Sequence, residues 1–329
     1  MPGGPVTGTA VTRTAVTSTD LEHELETLGS LAGRPGGLFG PASMFWRVDR
    51  EAVIFLAAGR ALLLQLAHPW VAAGIAEHSR SLADPIGRFH RTFHPVFAMV
   101  FGTAEEAVAA ARRLHRRHSA IAGTLPEGAG DFVAGSAYAA NDVAALRWVH
   151  ATLIESAILA YELVLPPFAR ADRERYWAEA RVFARLFGIP QSALPNSWAE
   201  FERYVATMLD SRQLAVSPAA RTIASRLLAG AGTGWRVPAW YRRLTAILLP
   251  QQLRREFTLP DGAAERRAVE RTLRVLRTLY PLIPTRLRHV APYQEACARL
   301  CGRQRPRATT RLLNRLWIGR SSIADPPAR

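Results

Sequence analysis

The sequence contains no lysine, so all 42 of its basic residues are arginine. Set against 27 acidic residues, they give a formal net charge of +15. Because lysine is missing altogether, the excess of arginine indicates a compositional bias of the source genome rather than a nucleic-acid-binding surface. We therefore expect no nucleic acid among the partners.

Cysteine is also scarce, since only Cys297 and Cys301 occur, one helical turn apart. A disulfide between them would close too short a loop to constrain the unfolded chain. This scarcity excludes a disulfide-built miniprotein and favours a reducing compartment. Residues 1–20 show no basic, apolar leader, and we expect a cytoplasmic protein, with a peripheral position at the membrane as the alternative.

An apolar run of the ~20 residues that cross a bilayer is missing as well. The most apolar window, residues 52–67, is shorter than this and contains Arg60, so we interpret it as a buried core helix. Residues 1–43 begin with Gly, Pro, Thr and Ser and predict a disordered N-terminal tail. Residues 301–329 predict a solvated basic tail, or a weak contact with an anionic membrane surface.

Helical periodicity fills the chain between these tails, and no convincing alternation typical of strands is found. Capping residues predict where helices begin: Asp84 before Pro85, a capping box at residues 103–106, and Asp142. The pattern therefore predicts one all-α domain over residues 44–300. Later helices are predicted near residues 171–187, 197–212, 217–229, 238–256 and 262–280.

Seven of the nine histidines lie between His68 and His150. A single histidine is more often structural than functional, and we expect His68 and His150 to be core residues. The crowding of seven histidines nonetheless favours a site for a metal or a cofactor. The zinc-hydrolase motif His-Glu-x-x-His, the Glu-x-x-His pairs of di-iron bundles and a zinc-type cysteine spacing are all absent. A haem needs only one neutral imidazole and an apolar slot between helices, which this sequence can supply.

Two helices carry the candidate side chains for such a site. Arg88, Arg91 and Thr92 have i, i+3 and i+4 spacing and are predicted to share one helix face. That face suits haem propionates or iron-bound oxygen, and a solvated basic face is the alternative. On the next helix His118 precedes a loop and is expected to point into a cavity, whereas His115 is expected to point outward.

Seven motifs occur in a fixed order along residues 44–260. They are ALLLQLAHPWVAAGIAEHS (61–79), DPIGRFHRT (84–92), VFGT (100–103), HSAIAGTLPEG (118–128), YAANDVAALRWVHATL (138–153), LPNSWAEFERYVATML (194–209) and LTAILLP (244–250). Together they resemble the latex clearing protein (rubber oxygenase) and MpaB-type oxygenase family. The ordered series is more specific than any single motif.

The resemblance implies an all-α, globin-related domain that encloses a haem b pocket. It also implies that His118 is the axial ligand of the haem iron and that Arg88, Arg91 and Thr92 form the distal side. Arg91 stands where rubber oxygenases have lysine, and a guanidinium offers no lone pair to iron. Glu77 lies in another family motif and would accept a proton from the substrate.

We therefore predict a haem b-dependent oxygenase or oxidase that uses dioxygen on an apolar small molecule, either isoprenoid or lipid-like. Rubber itself is not expected, because a polymer outside the cell requires an exported enzyme. One alternative is a haem-binding or oxygen-sensing protein without turnover. The other is a helical interaction protein that binds no haem.

Overall fold

The structure is a computed structural model that describes residues 14–29, 36–78, 84–233, 236–303 and 305–324. Within these residues the chain forms α-helices, three short 3-10 helices at Ala52–Ala57, Gln191–Ala193 and Tyr280–Leu282, and one antiparallel hairpin. The hairpin pairs β1 (Ala122–Thr124) with β2 (Ala137–Ala139). The mostly helical content confirms the predicted all-α class, whereas the globin relationship stays a prediction.

The α-helices are numbered in chain order. They are α1 (Ser18–Leu28), α2 (Met44–Asp49), α3 (Ala58–Leu66), α4 (Pro69–His78), α5 (Pro85–Phe101), α6 (Ala104–Ser119), α7 (Val143–Val164), α8 (Arg170–Arg185), α9 (Trp198–Asp210), α10 (Pro218–Ala229), α11 (Ala239–Leu248), α12 (Gln251–Glu256), α13 (Ala263–Leu279), α14 (Thr285–Arg288), α15 (Ala291–Leu300) and α16 (Ala308–Ile318).

Helix α7 runs through the centre of the fold. Asp142 caps it as predicted, because its Oδ1 accepts hydrogen bonds from the backbone N–H groups of Ala144 and Ala145 at 2.9 and 3.3 Å. By length and composition α7 could cross a membrane, yet 56% of its most apolar window is buried inside the protein. The 3-10 helix at Ala52–Ala57, α2, α3, α8 and α13 all pack against it. We therefore interpret α7 as a core helix.

The apolar window 52–67 is buried, as predicted. It begins as the 3-10 helix and continues as α3, and it packs along α7. Arg60 is only 4% exposed within it. Its guanidinium forms an ion pair with Glu155 and donates hydrogen bonds to Ser156 Oγ and the Leu248 carbonyl, both at 2.9 Å. These partners compensate for the cost of burying the charge.

Helices α5 and α6 begin at their predicted caps. Asp84 accepts a hydrogen bond from the N–H of Gly87 at 2.8 Å, and Pro85 occupies the first turn. Thr103 and Glu106 form the reciprocal capping box. The two helices pack along each other.

The prediction of one helix over residues 238–256 was wrong, because this segment forms two helices. Pro250 separates α11 from α12. Proline has no N–H and disfavours the helical conformation of the residue before it, and Leu249 is accordingly extended, with ψ at 149°. The other four late helices, α8, α9, α10 and α13, lie within two residues of their predicted bounds.

The predicted disordered tail over residues 1–43 was wrong for residues 14–29 and 36–43. Helix α1 buries Leu21, Leu25 and Leu28 in the main core. Its period of three to four residues is that of an amphipathic helix, and burial of the leucines offsets the entropy of ordering it. Residues 1–13 and 30–35 lie outside the described part.

Helix α1 also covers His115, which was expected to point outward. The imidazole is 6% exposed, and its Nε2 lies 3.4 Å from Ser18 Oγ. Arg112, on the same helix as His115, forms two hydrogen bonds with Glu22 of α1, at 2.8 and 2.6 Å. The sequence around His115 could not reveal a cover supplied from almost 100 residues away.

The predicted solvated tail over residues 301–329 was wrong as well. Within it, α16 buries Thr310, Asn314 and Ile318 and packs against α15 and α5. Ile318 and Ile323 belong to the same core as α1. Residue 304 and residues 325–329 lie outside the described part.

Candidate functional site

A large apolar cavity lies between the helices on one side of α5. Its volume is about 540 Å³, which is within the usual range for small-molecule pockets. Side chains from α2, α3, α5, α7, α8, α10 and α11 form its wall, together with the 3-10 helix at Ala52–Ala57. Most of these side chains are aliphatic or aromatic, so the cavity suits an apolar ligand.

Helix α5 supplies one continuous wall of the cavity. Its lining residues are Pro85, Arg88, Phe89, Thr92, Phe93 and Val96. They repeat at intervals of three and four, so they lie on one helix face. Phe89 and Phe93 pack against each other at 4.6 Å between ring centroids, and Phe93 packs against Phe55 at 4.9 Å. The face is thus aromatic, with one guanidinium and one hydroxyl.

Several polar side chains in the wall already have hydrogen-bond partners. Gln65 donates to Thr152 Oγ1 at 2.9 Å, and Ser156 accepts the hydrogen bond from Arg60. The Tyr241 hydroxyl donates to the Phe55 carbonyl at 2.9 Å and accepts from the N–H of Gly59 at 3.0 Å. These groups hold the wall together.

The structure separates two arginines that were expected to act together. Arg88 and Thr92 line the cavity, whereas Arg91 does not appear in its wall. Arg91 instead donates a hydrogen bond to Asp84 at 2.9 Å and keeps 47% of its side-chain surface exposed. That hydrogen bond is the main cause of the lowered pKa of Asp84. Burial lowers the pKa of Arg88, which nonetheless stays charged at neutral pH.

His118 lies on the last turn of α6, partly buried and outside the cavity wall. Burial, together with the charges of Arg117 and His115, lowers the pKa of its imidazole to about 4. The imidazole is therefore neutral at pH 7 and keeps a lone pair for a metal. The adjacent Arg117 reaches the Arg91 carbonyl at 3.4 Å, so this turn of α6 lies beside α5.

Glu77 also lies outside the cavity wall. It accepts a hydrogen bond from the Tyr138 hydroxyl at 2.6 Å, lies 3.7 Å from His78 Nε2 and is 44% exposed. The prediction that Glu77 accepts a proton from the substrate stays a prediction, as do the predicted roles of Arg91 and His118.

His68 and His150 are core residues, as expected, since each is 2% exposed. The ring of His68 packs against Phe132 at 5.1 Å between centroids. Nε2 of His150 lies 2.9 Å from the Ala180 carbonyl. Among the described residues no group of three or more His, Cys, Asp or Glu side chains is arranged to hold a bare metal ion.

Asp49 is a cavity residue that the sequence analysis missed. It is the last residue of α2, and its side chain lines the cavity near Tyr176 and Phe183. Burial, reinforced by the nearby charge of Glu179, raises the pKa of Asp49 to about 8. The only signal in the sequence is an acidic residue in the aromatic stretch Met44–Asp49, and only the fold shows that it faces a cavity.

The domain is thus all-α and encloses an apolar cavity, with the partly buried side chains of Arg88 and Asp49 in its wall. Residues 46–278 match the family model described as ER-bound oxygenase mpaB/B'/Rubber oxygenase, catalytic domain. The chain belongs to this family, which confirms the resemblance seen in the motifs. No curated protein and no solved structure matched the chain.

The family is an oxygenase catalytic domain and is related to haem. The donor chemistry of this chain fits a haem, since His118 offers a neutral imidazole and Arg88 and Thr92 offer hydrogen-bond donors beside an apolar space. The described cavity wall itself contains no histidine or cysteine. His118, the sequence-predicted ligand that would hold the iron, lies outside this wall, on the turn of α6 that contacts α5 through Arg117.

Proposed function

We propose that this protein is a haem b-dependent oxygenase that uses dioxygen to oxidise an apolar small molecule. The observation that carries the proposal is the apolar cavity, with Arg88 and Thr92 in its wall, inside a domain of an oxygenase family. A bound haem would supply the activation of dioxygen, and the protein would supply position, donors and a dry space.

In this proposal His118 holds the iron through its neutral imidazole. The lowered pKa of His118 supports this role, because no proton competes for the lone pair at neutral pH. Arg88 and Thr92 donate hydrogen bonds on the cavity side, where the low dielectric strengthens them. Arg91 belongs to the motif but contributes through Asp84 at the start of α5.

The cavity wall supports an apolar substrate, either isoprenoid or lipid-like. Burial of such a chain against Phe55, Phe89 and Phe93 is favourable at ~25 cal/mol per Å² of apolar surface removed from water. The few polar groups in the wall would orient the substrate rather than supply most of its affinity.

The optical spectrum of protein produced with haem supplied tests the proposal. We expect a Soret band that responds to dithionite and carbon monoxide, and that is lost or strongly shifted in His118→Ala. His115→Ala, three residues earlier on α6, is the matched control and should keep the band. Circular dichroism of both variants separates loss of the ligand from loss of the fold.

Three outcomes would overturn parts of this proposal. Protein that remains colourless after reconstitution would remove the haem. A Soret band in His118→Ala equal to that of the wild type would remove the axial assignment. Haem binding without oxygen uptake on any alkane, alkene or terpenoid offered would favour the haem-binding or oxygen-sensing alternative.

A further inference from the structure

The carboxyl group of Asp49, which lines the cavity, has no hydrogen-bond partner among the described residues. Oδ2 of Asp49 is inaccessible to solvent and makes no hydrogen bond with any described residue. By contrast, Nε2 of Gln65, Oγ of Ser156 and the hydroxyl of Tyr241, which line the same cavity, have protein partners. Asp49 therefore differs from the polar groups that hold the wall together.

The residues around Asp49 do not satisfy it. Both carboxylate oxygens of Glu179 accept backbone N–H groups at the start of α2, from Met44 at 3.1 Å and Phe45 at 2.7 Å. Phe45 in turn stacks on Tyr176 at 5.0 Å between centroids. No described ion pair includes Asp49, and its raised pKa reflects an apolar setting beside a second acid. A carboxyl in such a setting is expected to be protonated at neutral pH.

A polar group that is shielded from water and has no partner lowers stability, so a ligand that satisfies it is bound selectively. A protonated carboxyl offers one donor and one acceptor, which matches a hydroxyl group. An ammonium group would require burial of an ion pair, and the cavity already contains the cation of Arg88. The geometry therefore favours an alcohol over an amine.

We propose that Asp49 binds a hydroxyl group of an otherwise apolar ligand, so that the cavity selects aliphatic or terpenoid alcohols. The inference rests on the proposed function only in treating this cavity as the substrate site. It adds a specificity-determining residue and a substrate class.

The test compares 1-octanol with n-nonane, in which a methyl group replaces the hydroxyl. Partition of each volatile ligand into solutions of the full-length protein, measured by headspace gas chromatography, gives its affinity. Nonane is the more hydrophobic ligand and binds any apolar cavity better for that reason alone. We therefore divide the affinity for octanol by the affinity for nonane in each protein, and then divide the wild-type value by the Asp49→Leu value. We expect the wild type to favour octanol about tenfold in this double ratio, or about 1.4 kcal/mol.

Two further variants sharpen the comparison. Asp49→Asn keeps a donor and an acceptor and should keep most of the preference for octanol. Asp210→Leu removes an exposed acid at the end of α9 and should leave the ratio unchanged. Asp49→Leu removes an unpartnered carboxyl, so its melting temperature should equal or exceed that of the wild type.

A double ratio near one would overturn the proposal. So would n-octylamine losing more affinity than octanol in Asp49→Leu, which would assign an ammonium ligand instead. Neither readout needs haem or oxygen. Protein that stays colourless but prefers octanol through Asp49 would refute the proposed function and support this inference. Protein that binds haem and oxidises a substrate but shows a double ratio near one would support the proposed function and refute this inference.

An independent observation concerns α11, α13 and the segment that follows α13, through the end of α14. Ten large apolar side chains are exposed in the described part of the chain, and six of them lie here. They are Trp240, Val275, Leu279, Leu282, Ile283 and Leu287, which we call the apolar strip. Trp240 and Val275 line one shallow surface depression with Arg271, so α11 and α13 form a continuous surface. Concentrated exposure of this kind marks an interaction site.

The charge around the apolar strip indicates its partner. Residues 271–294 contain five arginines and no acidic residue. Four of these arginines are exposed: Arg271, Arg274, Arg277 and Arg286. A second copy of the chain would bring arginines against arginines, because a two-fold interface pairs the same surface with itself. An anionic lipid surface instead attracts the basic side chains and takes up the apolar ones.

We infer that the apolar strip docks the protein on an anionic membrane surface. Co-sedimentation of the full-length protein with phosphatidylcholine vesicles, with and without 30% phosphatidylglycerol, tests this inference. We expect binding only to the vesicles that contain phosphatidylglycerol, with weaker binding at high salt. The double variant Leu282→Glu/Leu287→Glu should lower the bound fraction at least fivefold.

The matched control is Leu312→Glu/Leu316→Glu, which changes two equally exposed leucines on α16. It introduces the same charge and should bind like the wild type. Equal losses in both double variants, or equal binding to the neutral vesicles, would overturn the inference. A wild-type dimer that Leu282→Glu/Leu287→Glu converts to a monomer would assign the strip to a second copy of the chain.

Discussion

The amide of Asn314 donates a hydrogen bond of 2.6 Å to the carboxylate of Glu295, and Asn314 is fully buried. Ser322 and the backbone N–H of Ile323 donate to the same carboxylate. The acid thus joins α15 to α16 and to the segment that follows it. Because it satisfies three donors inside the protein, the C-terminal region is part of the core.

Asn314→Ala should therefore loosen α16. We expect a loss of about 1–3 kcal/mol in the free energy of unfolding, because the variant leaves the buried carboxylate with fewer donors. Limited trypsinolysis should cut earlier at Arg311 or Arg315, which lie on the same helix. Leu316→Ala, at an exposed position of α16, is the control. Equal cleavage rates in Asn314→Ala and wild type would show that this contact does not hold the helix.

Substitution of Leu25 measures how much the packing of α1 contributes to stability. It is 4% exposed in the main core, and Leu25→Ala should lower the free energy of unfolding by about 2–4 kcal/mol, from lost burial and the cavity left behind. Urea denaturation measures the change. The neighbouring Glu26 is exposed, and Glu26→Ala should stay within about 0.5 kcal/mol of wild type. Similar values for both variants would contradict the packing of α1 against the core.

Arg88 and Arg91 should differ in function, although they are three residues apart. Arg88→Leu removes a guanidinium from the cavity wall, and we expect oxygen uptake by the haem-loaded protein to fall at least tenfold. Arg91→Leu removes only an exposed, solvent-screened pair with Asp84 and should change uptake less than about twofold. Equal losses would show that Arg91 acts in the site despite its exposed position.

The buried imidazole of His68 should make the stability of the protein depend on pH. Burial lowers its pKa from 6.5 to about 4 in the folded protein. Below pH 6.5 the imidazole of His68 is protonated in the unfolded chain, whereas in the folded protein it stays neutral down to about pH 4. The free energy of unfolding therefore falls as pH decreases from 6.5 to about 4. Within this pH range His68 lowers the free energy of unfolding by about 1.4 kcal/mol for each unit of pH decrease.

His68→Phe should remove that contribution, because the ring still packs against Phe132 but no longer titrates. Urea midpoints between pH 7.5 and 4.5 measure it, and the variant should gain on the wild type only below pH 6.5. Parallel curves for the two proteins over the whole range would exclude His68 as a source of acid lability.

Local signals in the sequence located most of the helices. Asp84, the capping box at residues 103–106 and Asp142 begin their helices where the pattern predicted, because caps depend on residues within a few positions of each other. The ordered motifs indicated the family for the same reason. The end regions were misjudged, because α1 and α16 are short and become stable only against partners far away in the chain.

By itself the sequence determined the helical class, the caps, the buried segment around Arg60 and the family. The tertiary structure decided which side chains share a space: Arg88 and Thr92 with the unpredicted Asp49, and not with Arg91 or Glu77. Helical periodicity fixes the face on which a residue lies, whereas the packing of several helices decides whether that face meets a cavity, another helix or water.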